Sequence, residues 1–166
     1  MQPSVNTRKL IVEEGGFKYD SDSYADDLPY WTLDYSDKPH LIIPYSLTEN
    51  DMRFVGQNAF PTGVEFFAHL KETLKFAVEE GKAGHPTMMN IGLHCRLARP
   101  GRVAAMAEFL DYVKSFGSSV WICTREQVAD FWAENHYPKG AGSPVKPDRK
   151  GGVPEPVVNR EDGDFI

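Results

Sequence analysis

Thr87-Met88-Met89-Asn90-Ile91-Gly92-Leu93-His94-Cys95-Arg96-Leu97, followed by Arg99-Pro100-Gly101-Arg102, is the stretch on which the fold turns. Residues 87–93 form a short, largely apolar run that reads as a buried strand. Pro100-Gly101 then marks a turn. From Arg102 onward Val103, Met106, Leu110, Val113 and Phe116 recur at helical spacing. His94 is therefore expected at the carboxyl end of a strand that feeds a helix, where α/β folds gather their chemistry. A single histidine in that place is either a satisfied structural residue or a proton-transfer group with partners elsewhere in the chain.

Outward from this unit the pattern repeats. Thr62 or Gly63 opens a helix carrying Phe66, Phe67, Leu70, Leu74, Phe76 and Val78, and Gly81 is expected to end it. Before it, His40 to Ser46, with Leu41-Ile42-Ile43 at its centre, reads as another buried strand. Phe17-Lys18-Tyr19 reads as a strand running into Asp20-Ser21-Asp22, and the acidic, aromatic segment up to Lys38-Pro39 is expected to be irregular. Asn6 is placed to cap a helix over 7–14, which Gly15-Gly16 stops by allowing left-handed backbone angles. Downstream, Ser119 to Cys123 reads as a fourth strand. Thr124-Arg125-Glu126-Gln127 is a capping-box pattern that opens a last helix, with Val128, Phe131 and Trp132 on one face.

Strands alternating with helices predict an α/β fold with about four parallel strands, too few to close a barrel. Residues 137–166 hold five prolines and five glycines, a composition expected of a disordered tail. The chain thus divides into one folded unit over 1–136 and a Pro/Gly-rich tail over 137–166.

The 166 residues suit a single domain with a sizeable core. A net charge of -6 without a Lys/Arg cluster argues against a nucleic-acid partner. No run of apolar residues is long enough to span a membrane, and the polar N-terminus does not read as a secretion signal. Cys95 and Cys123 lie in apolar, strand-like contexts that suit reduced, buried thiols, so the expected location is cytoplasmic.

A series of motifs then carries a resemblance: Asn6-Thr7-Arg8-Lys9-Leu10, Glu13-Glu14-Gly15-Gly16-Phe17, Tyr19-Asp20-Ser21-Asp22-Ser23-Tyr24, Asp26-Asp27-Leu28-Pro29-Tyr30-Trp31, Ile43-Pro44-Tyr45-Ser46, Asn50-Asp51-Met52-Arg53-Phe54 and Gly92-Leu93-His94-Cys95-Arg96. In this order, over about residues 1–135, they resemble the C-terminal half of the allantoinases in the polysaccharide-deacetylase (NodB-homology) superfamily. The resemblance implies a distorted (β/α) barrel, here a partial one, with its site at the carboxyl ends of the strands. It implies hydrolysis of a small molecule, allantoin, to allantoate by opening of the hydantoin ring, with no added metal or cofactor, and a homo-oligomer in the full-length family. The superfamily's acidic motif after its first strand, and its pair of histidines one helical turn apart, have no counterpart among His40, His69, His85, His94 and His136. The expectation is a fragment lacking the N-terminal catalytic motifs, inactive and poorly soluble alone.

Within the resemblance, His94 matches a last-motif histidine similar to a general acid, and an imidazole titrating near neutrality can protonate a leaving amide nitrogen. Cys95, the next residue on a strand, should face away from it. Asp20 and Asp22, two apart, share a strand face, where paired carboxylates can bind a metal, orient a base or hold polar substrate groups, or else they form an Asx-turn. Arg8 takes the place of a family arginine that would hold a catalytic carboxylate from the absent half, or is a solvated first-turn residue. His94, Asp20 and Arg8 are thus the catalytic candidates. Asp22, Trp31, Tyr45, Asn50 and Asp51 offer the amides, carboxylates and aromatic walls that a flat ureido-hydantoin needs, or are loop caps and core aromatics. No metal ligand is assigned. Two alternatives remain open: a metal-dependent deacetylase of chitin-like oligosaccharides, and a non-catalytic remnant or binding piece whose open strand edges seek a partner.

Overall fold

Leu41, Ile42 and Ile43 are almost wholly excluded from solvent, and the rest of the sheet is arranged about them. The computed structural model describes residues 3–56 and 59–141. In it β3 (His40–Ile42) is the middle strand of a three-stranded sheet of order β1-β3-β2. β1 (Tyr19–Asp20) runs parallel to it, Tyr19 beside Leu41 and Asp20 beside Ile42. β2 (Tyr30–Thr32) runs antiparallel, with Trp31 opposite Leu41. An apolar run with no polar face fits a central strand covered on both sides. Beyond its end the chain stays extended: the Ile43 N–H donates to the Asp20 carbonyl at 2.9 Å and the Tyr45 N–H to that of Ser23 at 2.8 Å.

This sheet corrects the sequence expectation of about four parallel strands. β2 comes from the segment expected to be irregular, where Tyr-Trp-Thr are strand formers and an Asp26 side chain accepting the Asp27 and Leu28 N–H groups turns the chain back. The expected strand over 87–93 is reduced to one parallel bridge between Gly92 and Asn50. Residues 119–123 form no strand; a short 3₁₀ turn (Gly117–Ser119) takes up their first residue, and Trp121 and Ile122 are more than half exposed. A strand needs a neighbour along its length, and among the described residues the first segment meets one at a single position and the second at none. The class is α/β, and the described residues close no barrel.

α1 (Thr7–Glu14) ends where expected, at Gly15 with φ 77°, whose N–H returns to the Ile11 carbonyl. Its start differs: Asn6 makes no side-chain cap, and Ser4 instead donates its N–H to the Thr7 hydroxyl at 2.9 Å. α2 (Gly63–Lys82) runs through Gly81 and buries Phe66, Leu70, Leu74 and Val78, while Phe76 is exposed. α3 (Pro100–Lys114) starts at its proline, a favoured first helical position. It turns Ala105, Phe109 and Val113 inward and leaves Val103 and Leu110 exposed, a shift of the expected stripe.

α2 and α3 pack together around Phe54, Phe66, Leu70, Leu74, Val78, Phe109 and Val113. A second, smaller core lies under the sheet, where Leu41, Ile43 and Ala129 meet Tyr19, Trp31, Val128 and Trp132. The last two come from α4 (Arg125–Asn135), opened by the expected capping box: the Thr124 hydroxyl accepts the Gln127 N–H at 3.2 Å and Gln127 Oε1 accepts the Thr124 N–H at 2.8 Å. Tyr137, first residue of the segment read as tail, sets its ring edge-on to Trp31 at 4.9 Å; residues 142–166 lie outside the described residues. Cys95 is exposed rather than buried, and Cys123 is half-buried, its thiol pushed up by desolvation; both are free. Among the described residues no helix is long and apolar enough to cross a membrane.

Candidate functional site

The 3₁₀ turn Asp51–Phe54 is capped by Asn50, whose Oδ1 accepts the Met52 N–H at 2.9 Å. That cap fixes Asp51, which is 3% exposed, at the foot of His94. Asp51 Oδ2 accepts the His94 backbone N–H at 2.8 Å, and Oδ1 lies 2.6 Å from His94 Nδ1. A carboxylate only accepts, so Nδ1 carries the proton. Nε2 has no partner among the described residues, in a side chain 35% exposed. A neutral ring held in this tautomer takes a proton at Nε2 and gives it back, with Asp51 stabilising the charged form.

The local chain explains why the two halves of this pair meet. Asn50 and Gly92 bridge in parallel: the Asp51 N–H donates to the Gly92 carbonyl and the Gly92 N–H to that of Glu49, both at 2.9 Å. A Cβ on Gly92 would collide with Asn50 Nδ2 and lie 2.9 Å from its Cγ and 3.0 Å from Tyr45 Oη. Glycine is what leaves room for the Asn50 side chain and the Tyr45 hydroxyl. Asn50, fully buried, donates its amide to the Tyr45 hydroxyl.

Tyr45 in turn walls a cleft of about 240 Å³, with Tyr24, Asp26, Asp27, Thr48 and Asn90 among its other sides. The Tyr24 and Tyr45 rings are 5.8 Å apart at 50°. Arg125 holds the back of this cleft. Its guanidinium donates to Ser21 Oγ (2.7 Å), to the carbonyls of Ile43 (2.9 Å) and Pro44 (3.0 Å), and to Asn90 Oδ1. Asn90 Nδ2 also donates to the Pro44 carbonyl at 3.0 Å. Burial pushes the Arg125 guanidinium down from its ordinary value, with Tyr19 and Tyr45 opposing.

Arg8 and Asp20 form a separate group. Arg8 Nε and Nη2 reach the Asp20 carboxylate at 3.0 and 3.3 Å, and Nη2 also donates to the Asp22 carbonyl at 2.9 Å. His40 Nε2 lies 3.2 Å from Asp20 Oδ2, close enough for an ion pair but without a well-aligned hydrogen bond. Burial pushes the Asp20 carboxyl up, but His40, Arg8 and the Asp22 N–H outweigh it and hold the group at about 2. The same contact raises Arg8.

The sequence candidates therefore separate. Asn50, Asp51, His94 and Tyr45 come together. Asp20 and Asp22 make no carboxylate pair, because the Asp22 N–H closes an Asx-turn on Asp20 Oδ1 at 3.0 Å and the Asp22 side chain is exposed. Arg8 grips a carboxylate of its own chain. Trp31 packs in the smaller core, away from the cleft. Sequence reasoning missed Asn90 and Arg125: the first is a lone amide inside an apolar run, which was a usable signal, and the second was absorbed into a capping box. Among the described residues no three His, Cys, Asp or Glu side chains gather to hold a metal ion.

No family model matches the chain. A Schizosaccharomyces pombe protein named as a polysaccharide deacetylase is 39% identical over 147 residues, covering 80% of this chain and 46% of its own. A crystal structure from Pseudomonas aeruginosa PAO1, also named as a polysaccharide deacetylase, is 49% identical with a TM-score of 0.74, over 80% of this chain and 44% of its own. The crystal structure of PuuE allantoinase is 47% identical with a TM-score of 0.75, over 81% and 44%. The chain spans about half the length of the relatives it matches.

Proposed function

We infer, from the polysaccharide deacetylase (NodB-like) superfamily that curated and structural relatives both support, that this chain carries the proton-donating part of a hydrolase that opens the hydantoin ring of allantoin. The observation that carries the reading is the two-point hold of Asp51 on His94, which leaves Nε2 without a partner among the described residues in a side chain 35% exposed. In the reaction, water oxygen bonds to the ring carbonyl carbon and loses a proton to a base. The C–N bond then breaks, its electron pair stays on nitrogen, and that nitrogen takes a proton from Nε2 of His94 in its imidazolium form. The proton that the base took from water returns to Nε2 through solvent to close the cycle. Water is consumed and allantoate results. None of the groups described above is assigned as the base, and no step is routed through a metal. Asp51 is a positioning residue: it fixes the tautomer and supports the imidazolium.

The printed names of the S. pombe and P. aeruginosa relatives favour a second reading, deacetylation of an acetylated saccharide. One experiment separates the two. Residues 3–141 replace the matching segment of PuuE allantoinase, and the chimera is supplied with allantoin or with acetylated chito-oligosaccharide, with and without chelator. The expected result is allantoin hydrolysis unaffected by chelator, lowered about 10²–10⁴-fold by His94→Ala. Acetate release lost on chelation transfers the assignment to the second reading. A folded chimera that turns over allantoin equally well with alanine at position 94 overturns the role of His94.

A further inference from the structure

We propose that Glu49 is a positioning residue for His94: its buried carboxylate holds the turn whose backbone fixes Gly92, two residues before the histidine. This rests on the reading of His94 as the proton donor and deepens it. Two backbone bonds set how segments 49–51 and 92–94 lie together. The Gly92 N–H donates to the Glu49 carbonyl and the Asp51 N–H to the Gly92 carbonyl, both at 2.9 Å. From that register Asp51 reaches both the backbone and the ring of His94. The Asn50 cap and the 3₁₀ turn after it secure one end of segment 49–51. The other end is a turn in which, among the described residues, neither Leu47 nor Thr48 makes a backbone–backbone hydrogen bond. Side chains have to pin that end.

Glu49, which is 7% exposed, supplies the pin. Its Oε2 accepts from the Ser46 hydroxyl at 2.9 Å and from the Thr48 hydroxyl. The Thr48 N–H in turn donates to Ser46 Oγ at 3.1 Å, so residues 46–49 close on themselves. His69, from α2, ties this closed turn to the main core. Its Nε2 lies 3.2 Å from the Thr48 carbonyl, which only accepts, so Nε2 carries the proton. The same nitrogen is 3.6 Å from Glu49 Oε1. Leu70, the next residue, is wholly buried, so the imidazole stands on a fixed helix. A carboxylate taken out of water is costly unless donors surround it, and here they come from the turn on one side and α2 on the other. Glu49 itself does not line the cleft walled by Tyr45. It therefore acts through the backbone of Gly92 and not by touching substrate.

The test reads the tautomer of His94 in the 166-residue chain by nitrogen NMR of its ring, and turnover separately in the chimera. The unaltered chain is expected to show the Nδ1–H form. Glu49→Ala is expected to average the two tautomers, and to lower kcat about 10- to 10²-fold with KM within a few-fold. Glu49→Gln, whose amide oxygen still accepts both hydroxyls, should keep the Nδ1–H form and stay within about threefold of the unaltered kcat. Thr48→Val removes one donor and leaves the carboxylate; it should shift the tautomer the same way and lower kcat about 3- to 10-fold. If the alanine variant does not fold, the valine variant decides on the same readout. Val78→Ala opens the α2–α3 core away from the turn, so it should lower the melting temperature and leave the tautomer unchanged. An unchanged tautomer in Glu49→Ala, equal averaging in Val78→Ala, or a Glu49→Gln as impaired as the alanine variant overturns the proposal. His94 keeps or loses its tautomer whether or not allantoin is turned over, so failure here and failure of the allantoin reading are distinct results.

Discussion

Asp51 touches His94 at a backbone nitrogen and a ring nitrogen at once, so its carboxylate sets both the place of the histidine and its tautomer. Asp51→Asn keeps an acceptor for one of these bonds and loses the other. In the chimera the expected result is a fall in kcat of about 10²–10⁴-fold with KM within a few-fold, if Asp51, almost wholly buried, acts through His94. A rise in KM at constant kcat would instead make it a binding residue. Asp20 calls for a different measurement. Its carboxyl is held at about 2, below the ordinary aspartate value near 4. A depressed group stabilises the fold fully above its unfolded pKa and loses that contribution as pH falls through the native value, here from about pH 4 toward 2. The contribution at neutral pH is about 2 kcal/mol. Asp20→Asn should lower the urea midpoint at pH 7 and flatten the acid limb of stability, and an unchanged pH 3-to-7 difference would refute it. At this scale the sequence showed the polar types and their order but not who pairs with whom. Arg8 and Asp20 were both singled out, yet their mutual grip depends on β1 folding back beside α1, which no local pattern encodes.

The helices were the most legible elements, because a cap and a 3.6-residue stripe are local signals. Thr124 with Gln127, and Gly15 after α1, behave as their residue types dictate. The strands were less legible because a strand is defined by its neighbour. Residues 87–93 and 119–123 have strand composition, yet among the described residues the first is paired only at Gly92 and the second not at all. Tyr30-Trp31-Thr32 hid in an acidic stretch and found one. Helix–helix contact adds a constraint that periodicity does not reveal. A Cβ at Gly63 would sit 2.7 Å from the Gly101 carbonyl oxygen and 2.9 Å from Ala105 Cβ. Gly63→Ala is therefore expected to cost about 1–3 kcal/mol through overpacking. Gly101→Ala, where nothing lies within 4 Å of the added carbon, should be neutral or stabilising by up to about 1 kcal/mol. Equal effects of the two changes in a thermal melt would count against close α2–α3 approach as the cause.

At the scale of the molecule, two cores share the work among the described residues: one between α2 and α3, the other between the sheet and α4. What the composition and alternating elements conveyed was the α/β class. The mixed sheet joins residues 8 to 22 positions apart, whereas the two separate cores gather residues more than forty apart, such as Phe54 with Phe109 and Leu41 with Ala129. Arg125 has a consequence for how the molecule opens. Its guanidinium ties α4 to backbone or side-chain oxygens at positions 21, 43, 44 and 90, three stretches that are remote in sequence. Groups joined through one hub exchange their amide hydrogens together when the hub releases, as a single cooperative unit. Hydrogen-exchange mass spectrometry of Arg125→Leu is therefore expected to show peptides around 20–23, 43–46 and 88–92 losing protection in step, while those within α2 keep theirs. In the unaltered chain the loosening of α4 would then be the event that gives solvent access to the back of the Tyr24–Tyr45 cleft, so that the opening rate of the first turn of α4 sets how long that wall stays whole.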